Sequence, residues 1–504
     1  MSLARTWSVA PEGVFGHLIE VEADLAAGLP GTTVIGLGDA AVQQAKDRVR
    51  AALANSGLKW PDRKVTIALS PAALPKKGAG FDLAVAIAVL AADDRVPLRG
   101  VVETALIGEL GLDGGLRPVR GVLPLLLAAR RGGLRAALVP VGNLREALHA
   151  GIPVRGVTRL ADLIAHLRGE SDELVDRVVE EDLPPDEPPD MLDVLGQPVA
   201  RQALEIAAAG GHHVAMIGPP GAGKTMLAMR LPSLLPPLDE DDSLEVTAVH
   251  SVAGTLAERS PLITRPPFVD PHHSASLSAV IGGGSGTIRP GSVSLAHRGI
   301  LFLDESPEFK PTVLDALRQP LESGHVLVSR ASGTVRFPAR FQLVLAANPC
   351  PCAAARDIDC CCASGVRRRY LGRLSGPLLD RVDIRVDLPP VDPSSFSAGG
   401  EVVEGSAAIG ARVQKARLRS EQRWRSTHWR TNAEVPGPTV RRWFRAHACD
   451  TEIAERAVRV GRLTGRGFDR VLRLALTAAD LAERDRPIRA DLALALALRC
   501  GEEL

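Results

Sequence analysis

Aromatic residues are scarce in this sequence. Phe, Trp and Tyr make up 3% of its 504 residues, with a single tyrosine, whereas 45% of the residues are hydrophobic. Any packed core must therefore consist mainly of Ala, Leu and Val, and a surface that stacks nucleic-acid bases has few rings available. An excess of charge is also lacking, since 60 basic side chains stand against 59 acidic ones and the net charge is +1. The overall charge does not indicate a nucleic-acid partner, so a basic surface would have to be local.

Long apolar runs are missing as well. No uninterrupted run is long enough to cross a bilayer, and the start MSLARTWSVAPEG lacks the apolar stretch of a signal peptide. We therefore expect a cytoplasmic protein without a membrane partner. Five of the seven cysteines lie between Cys350 and Cys362. In a reducing compartment such a cluster favours a metal site or structural thiols over disulfides.

The chain length predicts roughly three domains. Residues 1–168 alternate short β-like runs with Ala-rich helical stretches, which is typical of an α/β domain. Residues 169–190 are acidic and Pro-rich and are predicted to form a linker. Residues 191–390 again alternate strands and helices. Residues 391–504 begin with a Pro-, Ser- and Gly-rich connector, and a helical C-terminal domain follows it.

The central segment contains a phosphate-binding loop motif. In HHVAMIGPPGAGKTMLAMRLP an apolar strand precedes a Gly-rich turn, and a helix follows the turn. Glycines let backbone N–H groups point at a phosphate, Lys224 would reach the β and γ oxygens, and Thr225 would offer its hydroxyl to Mg²⁺. The complete motif disfavours a Gly-rich loop without function. The predicted nucleotide-binding loop consists of Gly218, Pro219, Pro220, Gly221, Ala222, Gly223, Lys224 and Thr225.

Two further apolar strands end in polar residues. RGILFLDESPEF places Asp304, which can hold magnesium, and Glu305, which can polarise the attacking water, at a strand end. FQLVLAANPCP ends in Asn348, whose neutral amide can orient water against the γ-phosphate. Strand ends often carry acids, and an Asn before Pro349 is typical of a turn. Both interpretations therefore depend on the phosphate-binding loop that precedes these strands.

Arginines follow these motifs. LSGPLLDRVDI carries Arg381 after a helical turn, and LTGRGFDRVLRLALTAADL carries Arg466 and Arg470 at the start of a helix. Arginines that stabilise γ-phosphate charge are often supplied by a neighbouring subunit or a mobile lid. An isolated Arg is nearly always a solvated surface residue, so only the other motifs single these three out.

The order of these motifs resembles that of AAA+ ATPases. More narrowly, PHHSASLSAVIGGG, PGSVSLAHRGILFLDESPEF, PARFQLVLAANPCPC and RLSGPLLDRVD are similar to the magnesium-chelatase-like ATPases of the YifB/ComM group, and the resemblance covers nearly the whole chain. It implies an α/β fold with an N-terminal domain of the Lon-protease type (ribosomal S5 domain 2-type). A central AAA+ P-loop domain and a C-terminal helical lid would follow.

The resemblance also implies roles for the matching residues. Lys224 and Thr225 would bind nucleotide phosphate and magnesium, Asp304 and Glu305 would form the Walker B pair, and Asn348 would be sensor 1. ATP and Mg²⁺ are the implied cofactors.

The implied roles of the arginines extend to a neighbouring subunit. Arg381 matches the arginine finger of related chelatase and MCM ATPases, which acts in trans. Arg466 is the better match to sensor 2, with Arg470 as the alternative. Ser306 stands where the family has Leu, and since it follows the acidic pair we expect little effect on catalysis.

The strings PKKGAGFD and GELGLDGGLRPVRGVLPLLLAARRGG resemble the peptidase domain of Lon proteases, which uses a Ser–Lys pair. Here the place of the nucleophile falls on Gly80 and that of the lysine on Leu123. Because both chemical groups are absent, we expect no peptidase activity. The glycine turn is interpreted as inherited architecture at the entry to a buried helix.

Two basic segments are candidate DNA contacts. HVLVSRASGTVRFPARFQ predicts a hairpin that, in MCM-like relatives, faces the pore, with Arg330 and Arg336 flanking its turn. ARVQKARLRSEQRWRSTHWR interleaves basic residues with Trp424 and Trp429. The alternatives are a hairpin with ordinary solvated arginines and a charged helix that packs its tryptophans inward.

The cysteine cluster contains two C-x-C pairs that could hold a structural zinc ion, with free thiols as an equal alternative. Cys361 adds an ambiguous fifth thiol. His272 and His273 invite a metal interpretation, but we expect them to form hydrogen bonds near the nucleotide or the pore loops. The candidate zinc ligands are Cys350, Cys352, Cys360 and Cys362.

The resemblance to this family implies a ring-forming ATPase, a homo-oligomer expected to be hexameric. It also implies that ATP hydrolysis drives DNA remodelling, in the form of branch migration or helicase activity in recombination or natural transformation. One alternative is a magnesium-chelatase motor subunit, although no DxSxS metal-binding module is present. The other is a regulatory or chaperone-like ATPase that acts on proteins.

Overall fold

The computed structural model describes residues 3–36, 40–74, 76, 78, 80–177, 188–256, 262–284, 288–330, 333–354, 359–390 and 403–501. The chain divides into two compact units. The described residues of 1–184, 243–263 and 329–337 form the first unit, and those of 185–242, 264–328 and 338–504 form the second. No helix in the described part of the chain has the length and apolar character needed to cross a membrane.

The first unit contains a seven-stranded mixed sheet, whose strand order is β3-β4-β2-β1-β5-β8-β9. Strand β1 pairs antiparallel with β2 and parallel with β5, and the remaining neighbours toward β9 are parallel. The strands of the sheet are β1 (Leu3–Glu12), β2 (Phe15–Ala26), β3 (Gly31–Ile35), β4 (Lys64–Ser70), β5 (Thr104–Leu106), β8 (Ala136–Pro140) and β9 (Val154–Val157). A separate short hairpin joins β6 (Glu109–Leu110) and β7 (Leu116–Arg117).

Five helices accompany this sheet: α1 (Ala40–Asn55), α2 (Asp82–Ala92), α3 (Val122–Arg131), α4 (Leu144–Ala147) and α5 (Leu160–Arg168). All eleven residues of α2 are buried, and the helix packs against β1 and β2. The single charge on α2 is neutralised, because the carboxylate of Asp82 accepts two hydrogen bonds from Arg48, at 2.7 and 2.9 Å. The Gly-rich stretch before α2 thus leads into a fully buried helix.

The second unit contains a five-stranded parallel sheet with the order β11-β14-β17-β10-β18. Its strands are β10 (Val214–Ile217), β11 (Phe268–Val269), β14 (Ile300–Leu303), β17 (Gln342–Ala347) and β18 (Ile384–Asp387). Every residue of β14 and β17 is buried. Such unbroken apolar runs are expected when helices cover both faces of a parallel sheet.

The helices of the second unit comprise those that alternate with its strands along the chain and those of a helical C-terminal region. The first group consists of α6 (Pro198–Gly210), α7 (Lys224–Arg230), α9 (Leu277–Ile281), α10 (Ser292–Leu295), α11 (Pro311–Ala316), α12 (Arg318–Ser323), α13 (Ser364–Leu371) and α14 (Gly376–Leu379). The C-terminal region consists of α15 (Ser406–Arg423), α16 (Gly437–Ala446), α17 (Glu452–Arg459), α18 (Gly465–Leu481) and α19 (Arg489–Cys500).

One further helix and two pairs of strands remain among the described elements. Strands β12 (Gly282–Gly283) and β13 (Arg289–Pro290) pair with each other. Helix α8 (Glu240–Ala253) and the ribbon of β15 (His325–Arg330) and β16 (Gly333–Pro338) have residues in both compact units.

The structure confirms the predicted mixed α/β fold with parallel strands and a helical C-terminal region. The Lon-like type of the first domain, the AAA+ arrangement of the second and the predicted domain boundaries stay predictions. Residues 243–263 and 329–337 belong to the first compact unit, although the sequence suggested that they were part of the central domain. Parts of the predicted linker and connector, residues 178–187 and 391–402, lie outside the described residues.

Candidate active site

Three parallel strands of the second unit end at one edge of the sheet and carry the predicted motifs there. Gly218 follows β10, Asp304 follows β14 and Asn348 follows β17. Because β17 pairs in parallel with both β10 and β14, the residues after the three strands come together. This is the edge at which parallel α/β sheets place their ligand sites.

Glycine is required at three positions of the loop after β10. Gly221 and Gly223 have φ angles of 78° and 89°, in the left-handed region that favours glycine. A Cβ atom on Gly218 would lie 2.6 Å from the carbonyl oxygen of Leu388. The loop therefore combines a tight turn with a close backbone approach, as a phosphate-binding loop does.

Lys224 begins α7 and turns its side chain back into the loop. Its Nζ donates hydrogen bonds to the carbonyl oxygens of Gly218 at 2.7 Å and Pro219 at 2.9 Å, and to Oδ1 of Asn348 at 3.0 Å. Burial lowers the pKa of Lys224, and the negative charges of Asp304 and Glu305 oppose this shift. The ammonium group is thus held at the strand ends by oxygen atoms that a phosphate could replace.

The acidic pair lies beside the loop. Oγ1 of Thr225 donates a hydrogen bond to Oδ2 of Asp304 at 2.7 Å, and Oδ1 of Asp304 accepts one from the backbone N–H of Glu305 at 2.8 Å. A hydroxyl and a carboxylate oxygen are the ligand types that Mg²⁺ prefers. The donor set therefore fits a magnesium ion bound between Thr225 and Asp304.

Glu305 adopts a left-handed backbone conformation, with a φ of 47°. This conformation is uncommon for a residue with a side chain and is often found at functional sites. Oε2 of Glu305 lies 3.3 Å from Nδ1 of His273, and the carboxylate remains half-exposed. Water can therefore reach this carboxylate.

The sequence did not single out His273 as a partner of Glu305. Its ring contacts that of His272 with centroids 4.1 Å apart and ring planes tilted by 34°, and Nδ1 of His272 lies 2.8 Å from Oγ of Ser274. The only sequence signal was the histidine pair itself, because 31 residues separate His273 from Glu305 and nothing in the sequence indicates that the two side chains meet.

Ser306, the residue that departs from the family pattern, is fully buried. Its Oγ donates a hydrogen bond to the carbonyl oxygen of Ala346 at 2.8 Å. The hydroxyl is therefore satisfied within the protein and joins the acidic turn to strand β17.

The predicted arginines lie together in a second cleft of about 210 Å³. Arg381 is buried, pairs with Glu322 and donates to the carbonyl oxygen of Pro377 at 2.6 Å. The lining of this cleft also includes Arg466 and Arg470 and none of the phosphate-binding loop. The three arginines therefore lie close to one another, in a cleft that does not include Lys224 of the same chain.

Arg466 and Arg470 differ in how they are held. Arg470 forms an ion pair with Asp383, which is almost fully buried. Burial favours the neutral carboxyl, but Arg470 and the neighbouring His212 and His213 hold the pKa of Asp383 well below its usual range. Within the described chain Arg466 is exposed and has no hydrogen-bond or ion-pair partner. Arg470 is thus committed to a structural pair, whereas Arg466 is available to a ligand.

The four predicted zinc ligands converge. Their Sγ atoms all lie within 4.8 Å of one another, and Cys361 is not part of the group. Hydrogen bonds lower the pKa of the Cys352 thiol to about 6, and the one with Cys350 contributes more than the one from the backbone N–H of Ala354. Burial raises the pKa of the Cys350 thiol, and hydrogen bonding with Cys352 raises the pKa of Cys362 to about 12. The surroundings therefore favour the thiolate, the form that binds metals, at Cys352 and the thiol at Cys350 and Cys362.

The two candidate DNA-contact segments have different surroundings. Arg330 is exposed at the end of β15, and Arg336 is exposed on β16. Of the predicted turn 331–333, residues 331 and 332 lie outside the described residues. These observations leave the hairpin contact a prediction.

The tryptophan-containing segment packs inward. Trp424 is buried, its Nε1 donates to Oδ1 of Asn432 at 3.2 Å, and Trp429 meets it edge-on. Arg423 donates to the carboxylate of Asp480, with its Nη1 2.8 Å from Oδ2, and Arg417 donates to a backbone carbonyl. These contacts favour the packing interpretation of this helix over base stacking by Trp424.

The first unit carries no Ser–Lys pair at the positions predicted from the Lon resemblance. Leu123 is buried at the start of α3, and its N–H donates to Oε1 of Glu146 at 2.7 Å. Gly80 contributes its carbonyl oxygen to a hydrogen bond from the N–H of Gly108 at 3.0 Å. Neither residue offers a nucleophile or a base.

Three family profiles match this chain. A profile described as magnesium chelatase, subunit ChlI, matches residues 190–396, one described as subunit ChlI of Mg-chelatase matches residues 21–143, and one described as the ChlI C-terminal region matches residues 403–499.

Full-length relatives narrow the assignment. An uncharacterized protein of Mycobacterium tuberculosis is 53% identical over 500 residues, which cover 99% of each chain. The uncharacterized protein YifB of Salmonella typhimurium is 40% identical over 512 residues, 100% of this chain and 98% of the relative. The competence protein ComM of Haemophilus influenzae is 39% identical over 504 residues, 99% of this chain and 98% of the relative. The chain therefore belongs to the YifB/ComM family of magnesium-chelatase-like proteins.

Proposed function

We propose that this chain is an ATP-hydrolysing AAA+ motor that assembles into a hexameric ring and remodels branched DNA. The observation that carries the ATPase proposal is the meeting of Lys224, Asn348 and the Thr225–Asp304 pair at one edge of the parallel sheet. ATP, Mg²⁺ and a structural Zn²⁺ in the cysteine cluster are the proposed cofactors.

Each residue of the site has a distinct task in this proposal. Lys224 exchanges its carbonyl acceptors for the β and γ phosphate oxygens of ATP, which lie against the glycine turn. Thr225 and Asp304 would hold Mg²⁺, which neutralises charge on the transferring phosphoryl group.

Water activation falls to the residues at the ends of β14 and β17. Glu305 accepts a proton from the attacking water, for which its half-exposed carboxylate is accessible. His273 fixes the direction of that carboxylate. Asn348, which already contacts Lys224, orients the water against the γ-phosphate.

A ring is proposed because the arginines occupy a cleft of their own. Arg381 and Arg466 line this cleft without a residue of the phosphate-binding loop. They would complete the active site of a neighbouring copy, where positive charge stabilises the transition state. A closed ring with head-to-tail contacts gives every copy such a neighbour.

DNA is the proposed substrate of the motor because a full-length relative is named a competence protein. In this proposal Arg330 and Arg336 contact phosphates in the pore, and the motor performs branch migration or helicase activity in recombination or natural transformation. The test uses a synthetic four-way junction with ATP. Strand exchange by the wild type that is absent in Glu305→Gln supports the proposal, and ATP hydrolysis without binding or remodelling of the junction contradicts it.

Two other functions compete with DNA remodelling. The profile descriptions favour a magnesium-chelatase motor subunit, which predicts co-purification with a porphyrin-binding partner. A regulatory or chaperone-like ATPase predicts that proteins, and not DNA, stimulate ATP turnover.

A further inference from the structure

The cysteine cluster stands next to the candidate active site. Strand β17 ends at Ala347, Asn348 contacts Lys224 at 3.0 Å, and Cys350 follows only two residues later. Cys350 is buried, whereas Cys352 is exposed. Of the ligands of a metal bound here, Cys350 would therefore lie on the side of the protein interior and Cys352 on the side of the solvent.

Three of the four sulfur atoms lie close enough to one another to be ligands of a single metal ion. Cys350 and Cys352 are 3.2 Å apart at Sγ, Cys352 and Cys360 are 3.5 Å apart, and Cys360 and Cys350 are 3.4 Å apart. Zn–S bonds of about 2.3 Å in a tetrahedron separate the sulfurs by about 3.8 Å. A disulfide would bring two of them to about 2.0 Å. These three distances are shorter than the tetrahedral value by about 0.3 to 0.6 Å and longer than the disulfide value by more than about 1 Å. Sγ of Cys362 lies within 4.8 Å of the other three sulfurs.

The backbone forms a turn at the first C-x-C pair. Ala353 has a φ of 50°, an uncommon conformation for a residue with a side chain, and its N–H donates to the carbonyl oxygen of Cys350 at 3.2 Å. This turn directs Cys350 and Cys352 to the same point. Four thiolates without an open position define a structural site, for which zinc is the usual metal.

The second C-x-C pair leads directly into α13, which is fixed beside the acidic turn. Arg373, two residues beyond α13, donates to the carbonyl oxygen of Pro307 at 3.2 Å and to Oε2 of Glu308 at 3.1 Å. Glu308 lies three residues after Glu305. A metal ion bound by the four thiols would therefore connect the segment of Asn348 to α13, the helix that leads to Arg373 and its contacts with the turn after Glu305.

We propose that the cluster binds one Zn²⁺ ion through Cys350, Cys352, Cys360 and Cys362. The bound ion positions Asn348 relative to Lys224 and the turn of Glu305. Loss of the metal therefore slows ATP hydrolysis more than it weakens ATP binding. The coupling to hydrolysis rests on the proposed ATPase function, whereas the metal site itself does not. Asn348 is the residue that the metal would position, because only Pro349 separates it from the first ligand, Cys350.

Metal analysis of the full chain tests the site. Wild type and Cys361→Ser are purified alongside Cys352→Ser, and the zinc content of each is measured together with the visible spectrum after Co²⁺ substitution. We expect about one ion per chain and a tetrahedral Co²⁺–thiolate spectrum in the first two proteins, and a loss of about tenfold or more in bound metal in Cys352→Ser. Wild type that binds neither zinc nor cobalt overturns the proposal.

Zinc withdrawal from folded wild type tests the coupling without relying on a variant that fails to fold. A mercurial reagent with a chelator removes the metal, and excess thiol with Zn²⁺ restores it. We expect kcat to fall about tenfold or more while the Kd for ATP changes less than about threefold, with recovery on restoration. Unchanged kcat in protein that has lost its zinc and kept its circular dichroism overturns the coupling.

Hydrogen exchange of the peptide that spans β17 and Asn348 supplies a readout without ATP hydrolysis. Faster exchange after zinc withdrawal, with unchanged exchange in α2 of the first unit, supports the positioning role. Equal exchange with and without zinc contradicts it. If zinc-loaded wild type hydrolyses no ATP, the proposed ATPase function fails. The metal content and the hydrogen exchange then still test whether the cysteines bind zinc and whether zinc orders the segment of Asn348.

Discussion

Nδ1 of His273 lies 3.3 Å from Oε2 of Glu305, the carboxylate proposed to activate water. The contact joins the segment after β11 to the end of β14, two neighbouring strands of the parallel sheet. A carboxylate on a left-handed, half-exposed residue has several accessible orientations, and this histidine restricts them. His273 is therefore a positioning residue for Glu305.

Replacing His273 by Ala should lower kcat about tenfold and leave the Kd for ATP nearly unchanged, because the carboxylate remains but its direction is lost. Steady-state ATPase kinetics and equilibrium ATP binding measure the two effects. His272→Ala is the matched control, since Nδ1 of His272 contacts Ser274 instead. Equal losses in both variants would indicate that only the contact between the two rings matters.

The cleft of Arg381 predicts complementation between inactive variants. Lys224→Ala lacks a working nucleotide site but retains Arg381, and Arg381→Ala has the reverse defect. Mixed rings assembled at equal concentrations should recover about a quarter of the wild-type ATPase activity, the fraction of interfaces with both intact halves. Mixing Arg381→Ala with the double variant Lys224→Ala/Arg381→Ala should restore no ATPase activity, because no chain in that mixture has Arg381. An arginine that acts within its own chain would give no recovery in either mixture.

Arg466 and Arg470 should respond differently to substitution. Arg470→Ala leaves the buried carboxylate of Asp383 without its ion-pair partner and should lower the free energy of unfolding by about 3 kcal/mol or more. Arg466→Ala removes an exposed side chain and should change stability by less than about 0.5 kcal/mol while lowering kcat. Denaturant unfolding and ATPase assays separate the two effects. Reversal of this order would contradict the assignment of Arg470 to a structural pair.

Glu146 predicts a pH dependence of stability in the first unit. Burial raises the pKa of Glu146, and hydrogen bonds from Ser251 and the N–H of Leu123 oppose this rise. The folded chain then binds the proton more tightly than the unfolded chain, so wild-type stability increases as the pH falls through the folded pKa.

In Glu146→Gln the titrating group is gone, so the wild type should gain stability relative to this variant between pH 8 and pH 5. Urea unfolding of both full-length proteins across that range measures the difference. Parallel stability profiles would show that the folded and unfolded pKa values of Glu146 are equal.

Ser306→Ala tests whether the departure from the family pattern is structural. Loss of the hydrogen bond to Ala346 should cost about 1 kcal/mol of unfolding free energy. The ATPase rate should change little, because the side chain points into the core and not toward Lys224. A large loss of kcat with unchanged stability would give Ser306 a role in catalysis instead.

Much of the candidate site could be predicted from sequence because its parts are continuous. The glycine turn with Lys224 and the strand that ends at Asp304 are each encoded within about ten neighbouring residues, and parallel pairing then brings the strand ends together. The fold class followed from alternating apolar runs in the same way.

Contacts between distant segments could not be predicted. The partnership of Arg470 with Asp383 and that of His273 with Glu305 depend on which side chains meet after folding. Trp424 shows the same limit, because a basic segment with tryptophans is compatible with both base stacking and inward packing. The acceptor that decides between them, Asn432, becomes visible only in the folded chain.

The measurement that tests the central claim most directly is the steady-state ATPase activity of wild type and Glu305→Gln, each without DNA and with single-stranded DNA, duplex or a four-way junction. We expect wild-type hydrolysis that DNA stimulates, most strongly the junction, and a loss of about a hundredfold or more in the variant, because water activation requires the carboxylate. Wild-type protein that binds ATP but hydrolyses it no faster than Glu305→Gln under every condition would contradict the account.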